Sequence, residues 1–369
     1  MKVLANQHLY KFRELLPDEV DLDLFDPAHL PDDTPEYDAL FVNTTTPINT
    51  ETLPESGNLK FIATGSSGTD HLDLDYLTSK KVKTADAAGC NAVTVAEYVI
   101  TSILCFQQKT EIPLTDFTVG IIGKGHVGTE VSRMLTRFSI PHISYDPPRA
   151  DRDRDYHSAH FDELKTCNIL TFHTPLTFSG SYPTHHLLNR SWFRGTNYQL
   201  LINTSRGDVI DEELILQELE IGRLSNAVID VWQNEPRFNT DLASRSLFAT
   251  PHIAGYSVQS KIRASEMIIQ QFCDFMGIDR PEPFEQQKQF IDLKGDYDSL
   301  DQILLDLHPI NRYSRELKKT LNLPGEERAE TFTSLRSETP LRHEFSQLQI
   351  SEHYFDRFPE LTLLRVDPK

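Results

Sequence analysis

Short apolar runs alternate with amphipathic or polar stretches through most of the chain. The first series reads KVLAN, ALFVNTT, LKFIATGSSG and KVKTADAAG. A second reads FTVGIIGKGHVG, ISYDPP, NILTFHTP, QLLINTS, NAVIDVW and LFATPHIAG. Runs of strand length separated by helical sequence predict parallel strands joined by crossover helices. Two consecutive series predict an α/β protein of two doubly wound, Rossmann-like domains with a cleft between them. AVTVAEYVITSILCFQQ (92–108) predicts a buried helix linking the two, and SKIRASEMIIQQFCDFMG (260–277) an amphipathic helix crossing back to the first. After Gly277 the sequence turns polar and proline-bearing, a linker pattern, and then ends in a small α+β module (286–369). A module of that size has little core of its own and must pack on something. The expected division is 1–95 completed by 262–280, then 96–261, then 286–369.

The 369 residues exceed one ordinary core, and 38% hydrophobic with 25% charged residues fits a globular, not a disordered, chain. The formal net charge of −19 argues against nucleic acid or an anionic membrane surface as partner. Cys90, Cys105, Cys167 and Cys273 are scattered, the pattern of reduced thiols and not of a disulfide frame or zinc site. No signal-peptide pattern and no membrane-length apolar run is present, so a cytoplasmic location is expected. No metal site is expected either. His185 and His186 are adjacent, should point apart, and lack ligand spacing. The DPPRADRDRD run is expected to be a solvated loop.

VGIIGKGHVG sets Gly123, Gly125 and Gly128 directly after a strand and at the start of a helix. The first glycine allows the tight turn, the second the approach of a pyrophosphate, and the third close helix packing. By itself such a triplet is weak evidence. Asp146, at the end of the next strand, strengthens it, because an acid there meets the adenosine ribose hydroxyls and repels a 2′-phosphate. NAD is the expected cofactor, held by Gly123, Gly125, Gly128 and the intervening His126 and Val127.

Three further strand ends carry chemistry. LLINTSRGDVID presents Arg206, AVIDVWQNEP presents Asp230 and Glu235, and ATPHIAGY presents His252 and Tyr256. Oxidising a 2-hydroxy acid needs a cation for the carboxylate and a base for the hydroxyl proton. Arg206 suits the first and His252 the second, with Glu235 fixing the imidazole tautomer. Taken singly, Arg206 could bridge a loop to a surface acid, Glu235 could be a solvated acid, and His252 a packed histidine. Together they form one chemical set. His173, Thr174 and Pro175 in FHTPL would line the cofactor site.

These motifs, in this order, resemble the D-isomer-specific 2-hydroxyacid dehydrogenase family, over roughly residues 1–280. GTDHLD, AAGCNAVTVAEYV, DPPRADR, FHTPLT, IDVW and TPHIAGYS are similar to a branch that acts on a phosphorylated sugar acid and carries an extra C-terminal dimerisation domain. The resemblance implies a flavodoxin-like substrate-binding domain at 1–95, an NAD-binding domain at 96–261 and a homodimer. It implies catalytic roles for Arg206, Glu235 and His252. Cofactor contacts are implied at Asp146, Thr174, Thr204, Ser205, Arg206, Asp230 and Gly255, and substrate contacts at Thr44, Thr64 and Tyr256. One departure concerns the phosphate. Asn43 and Thr44 stand where the family usually has an Arg-Ser pair, so that a nearby positive charge is missing. Arg342 of a partner subunit is one source of the missing charge. Other 2-hydroxy acids such as glycerate, and a non-catalytic NAD(H)-sensing scaffold, remain as alternatives.

Overall fold

The computed structural model describes residues 1–369. The chain forms two compact units, Met1–Asn91 with Ser257–Gln287, and Ala92–Tyr256 with Lys288–Lys369.

In the first unit, strands β1 (Lys2–Asn6), β2 (Asp21–Phe25), β3 (Ala39–Val42), β4 (Phe61–Thr64) and β5 (Lys83–Asp86) form one parallel sheet in the order β2-β1-β3-β4-β5. This is the doubly wound order of flavodoxin-like sheets. Strands β3 and β4 are buried at every position, as expected when helices cover both faces. Period-2 alternation divides them between two cores. Ala39 and Phe41 face one side with Phe61 and Ala63, while Leu40 and Val42 face the other with Ile62. The helix Val258–Met276 packs on the first side through Ile268, Phe272 and Cys273. Its start is set by Ser257, whose hydroxyl accepts the Ser260 N–H at 2.9 Å.

The second unit holds a parallel sheet of β6 (Val119–Ile122), β7 (His142–Tyr145), β8 (Ile169–Phe172), β9 (Tyr198–Asn203), β10 (Leu224–Ile229) and β11 (Phe248–Ala249), in the order β11-β10-β9-β8-β6-β7. The same alternation sorts Val119, Ile121, Leu200 and Ile202 to one face and Ile122, Leu170, Phe172 and Leu201 to the other. The chain runs from β6 outward to β7, then returns to β8 on the opposite side. The switch point therefore lies between β6 and β8, where open α/β sheets bind ligands.

The C-terminal module is not a separate core. Its helices Leu300–Leu307 and Ile310–Lys319 and its small sheet of β12 (Gln289–Phe290), β13 (Leu348–Ile350) and β14 (Asp367–Pro368) bury Ile303, Leu304, Leu307 and Leu348 in the cluster that also covers Val119 and Leu200. Leu317 and Phe332 join the core on the other face of the same sheet. The helix Ala92–Thr110 lies in the first of these cores, buried along most of its length.

Two local expectations are corrected. Residues 147–152 are not a loop but a helix, Pro147–Arg152, because Pro147 suits a first helical position and Asp146 caps it. The rings of His185 and His186 do not point apart. They stack, with centroids 4.1 Å apart, because His186 takes a left-handed φ of 48°. Their ligand atoms and those of Asp208 lie within 4.8 Å of one another, and the Gln233 amide donates to both His186 Nε2 and the Asp208 carboxylate. No helix is long and apolar enough to cross a membrane.

Candidate active site

The registers Ile122–Phe172, Phe172–Asn203, Asn203–Ile229 and Ile229–Ala249 align the strand ends at one edge of the second sheet. The residues that follow these ends are the glycine loop, His173, Thr204, Asp230 and Thr250.

The glycine loop is shaped by close approaches. Gly123 has φ 91°, and a Cβ there would stand 2.8 Å from the His173 carbonyl oxygen. A Cβ on Gly128 would stand 2.0 Å from the Gly123 oxygen. Gly125, by contrast, faces open space at the N-terminus of the helix His126–Arg137, whose first-turn N–H groups point there. Asp146 accepts the Lys124 N–H at 2.7 Å and the Arg149 N–H at 3.0 Å, so the acid expected at the ribose also braces the loop. Arg149 donates to the Lys124 carbonyl at 2.8 Å. Thr174 Oγ1 is buried without a hydrogen-bond partner in the chain. An orphaned hydroxyl beside an open helix N-terminus fits a bound dinucleotide.

His173 is held between the hydroxyls of Thr171 (2.9 Å) and Thr204 (3.3 Å), and burial pushes it down to about 3, so its ring is neutral. Next to it, Asn203 fixes the Thr204-Ser205-Arg206 turn. Its Oδ1 accepts the Ser205 N–H and hydroxyl, and its Nδ2 donates to the Arg206 carbonyl. Arg206 Nη1 donates to the Ser205 oxygen at 2.8 Å.

Two loops converge on an imidazole–carboxylate pair. His252 Nδ1 lies 2.8 Å from Glu235 Oε2, and Glu235 Oε1 accepts the Trp232 N–H at 3.0 Å. Burial alone would raise the Glu235 carboxyl. The imidazole, the Trp232 N–H and Arg336 outweigh it, and the group ends below its ordinary value. With its proton on Nδ1 toward the carboxylate, the ring leaves Nε2 as the basic atom. His252 occupies the left-handed region at φ 59°, which costs a β-carbon residue roughly 1–2 kcal/mol. Buried Asp230 holds it there. Its backbone oxygen accepts the His252 N–H (2.8 Å), and its carboxylate accepts Ile253 N–H (2.8 Å), Ala254 N–H (2.9 Å) and the Thr250 hydroxyl (2.6 Å). Thr250 is in turn bonded to Tyr98 in the helix Ala92–Thr110, at 2.7 Å. Tyr256 Oη receives a hydrogen bond from Arg336 Nε at 3.2 Å.

The matching family model is that of the NAD binding domain of D-isomer specific 2-hydroxyacid dehydrogenases, over residues 104–254. Erythronate-4-phosphate dehydrogenase of Pseudoalteromonas atlantica is 36% identical over 325 residues, 86% of each chain, and that of Proteus mirabilis 34% over 363 residues, 95% of this chain and 94% of its own. The chain belongs to the D-isomer-specific 2-hydroxyacid dehydrogenase family. As a member it is an NAD-dependent oxidoreductase. Among solved structures, an NAD complex of formate dehydrogenase from Staphylococcus aureus shares the fold, with a TM-score of 0.60 at 22% identity, over 75% of this chain and 96% of its own.

Within the second unit the structure brings together Arg206, Asp230, Glu235, His252, Gly255 and Tyr256 with the glycine loop, Asp146 and Thr174 at one sheet edge. Thr44 and Thr64 belong to the first unit, after β3 and at the end of β4. Thr44 is exposed, whereas the buried Thr64 hydroxyl is shared between Ser66 (2.8 Å) and His71 (2.9 Å). Arg342 is not available as a phosphate ligand. It is buried in an ion pair with Glu97 at 2.5 Å and donates to the Thr94 carbonyl. Sequence reasoning missed Asn203 and Arg336. A polar residue ending a buried strand was the only available signal for the first. Arg336, in a mixed-polarity helix, gave none.

Proposed function

We propose that the chain oxidises 4-phospho-D-erythronate at C2 to 2-oxo-3-hydroxy-4-phosphobutanoate, a step of pyridoxal 5′-phosphate biosynthesis, as a cytoplasmic homodimer. Bound NAD would accept the hydride, its pyrophosphate at Gly123–Gly128 and its ribose hydroxyls at Asp146, with Thr174, the Thr204–Arg206 turn, Asp230 and Gly255 around the nicotinamide half. His252 Nε2 takes the C2 hydroxyl proton as the carbonyl forms, and returns it in the reductive direction. Glu235 holds the ring in the required tautomer and offsets the charge of the imidazolium. Arg206 pairs with the substrate carboxylate through its planar fork. Thr44, Thr64 and Tyr256 are the proposed substrate contacts.

The observation that carries this reading is the Glu235–His252 pair, set at the same sheet edge as an open glycine loop and Arg206. The test is turnover of 4-phospho-D-erythronate and of D-erythronate with NAD, read as NADH absorbance in one series and, in a second series where an added keto-acid reoxidises tightly held NADH, as consumption of that keto-acid. Turnover confined to the phosphate ester supports the assignment. Equal turnover of both compounds removes the phosphate from it.

A further inference from the structure

Arg336 stands near the end of the helix Gly325–Glu338, in the appended module, yet its guanidinium reaches the catalytic pair. Its Nε donates to Tyr256 Oη at 3.2 Å, and its Nη1 lies 3.7 Å from Glu235 Oε2, an ion pair too long for a hydrogen bond. The side chain is 30% exposed. Held by Nε on one side and by the countercharge of Glu235 on another, the group keeps the donors of its Nη fork free of hydrogen bonds within the chain. A fixed planar fork with open donors is the arrangement that binds phosphate in two parallel charge-assisted bonds.

The substrate class needs such a group. A phosphorylated sugar acid carries a carboxylate and a phosphate dianion, and the chain as a whole carries −19. Arg206 is assigned to the carboxylate. The segment after β3, Asn43-Thr44-Thr45-Thr46, contains no cation, and Arg342 is consumed by Glu97. Resting on the function proposed above, we propose that Arg336 receives the substrate phosphate and sets the preference for phosphorylated over unphosphorylated 2-hydroxy acids. Tyr256 is its positioning partner, since the Nε bond fixes the plane of the fork.

The experiment compares kcat/KM for 4-phospho-D-erythronate and for D-erythronate in the unaltered protein, Arg336→Gln and Arg336→Lys. Competitive inhibition by inorganic phosphate is measured alongside, with NADH titration as a check on folding. In the unaltered protein the ratio of the two kcat/KM values tests the substrate itself, and a ratio near one overturns the function proposed above. Given a high ratio there, Arg336→Gln is expected to lower it on the order of 100-fold, chiefly through KM for the ester, and to abolish inhibition by phosphate. Arg336→Lys should recover part of the ratio, because it keeps the charge but not the fork. A fall of equal size for both substrates, or inhibition by phosphate that survives Arg336→Gln, overturns the assignment of Arg336 alone. Should Arg336→Gln fail to bind NADH, the lysine variant decides: an unchanged ratio and unchanged phosphate inhibition overturn the assignment, and a lowered ratio supports it.

Discussion

Replacing Glu235 by glutamine isolates the charge of the Glu235–His252 pair from its shape. The amide oxygen still accepts the His252 Nδ1–H, so tautomer and ring position persist, while the negative charge 2.8 Å away is lost. A bare Coulomb attraction at that distance would be about 6 kcal/mol at an effective dielectric of 20. Both side chains are partly open to water, at 29% and 20%, which shrinks that figure. Hydrogen bonds to charged groups contribute about 1.5–3 kcal/mol net, and we take that range. The carboxylate stabilises the charge that the ring gains as it takes the proton, so its loss is felt at the transition state. At 1.36 kcal/mol per tenfold in rate, that range corresponds to about 10- to 150-fold in kcat. The assay is kcat for oxidation in the unaltered protein, Glu235→Gln and Glu235→Ala, the last of which loses the tautomer restraint as well. A kcat that Glu235→Gln leaves unchanged while Glu235→Ala lowers it would show that Glu235 acts on geometry alone.

Three further outcomes are expected. In Gly207→Ala the new Cβ would stand 2.0 Å from the Trp232 carbonyl carbon, pushing away the turn that carries Glu235; a lowered kcat with retained NADH binding should be measurable. Arg342→Met leaves Glu97 buried and unpaired, which should cost about 3–5 kcal/mol in denaturant unfolding, most of it recovered in the Arg342→Met/Glu97→Leu double variant. His308 is buried, with Nδ1 unpartnered, and burial and then Arg342 hold it well below its ordinary value. The unfolded chain gains a proton near pH 6.5 and the folded chain does not. Stability from this group is therefore present above that pH and lost as pH falls, by about 2 kcal/mol between pH 7 and 5. His308→Phe should show a smaller drop in Tm over that interval.

Much of the fold is written in the alternation of apolar positions. Val119 and Ile121 against Gly120 and Ile122 already imply a strand covered on both faces, and the order of motifs implies the switch point beside β6. What periodicity does not register is a polar side chain bonded to backbone far from it. Asp230 looks like one more strand-end acid, yet its carboxylate shapes the turn at Ile253 and Ala254. Helical pattern could not separate Arg336 from Arg342 either. The two lie six positions apart, and only tertiary packing makes one a buried partner of Glu97, 245 positions away, and turns the other toward Tyr256.

One chain of bonds sets what a trimmed version of this enzyme would have to keep. Glu344 and Arg342 grip Thr94 and Glu97, Tyr98 on the next turn holds Thr250, and Thr250 meets the carboxylate that shapes the turn at His252. The module sequence therefore reads as scaffolding for the turn that carries His252. A protein engineer who cut the gene at the linker would remove the footing of the His252 turn, and grafting the same tail onto a relative would demand a matching helix beneath it.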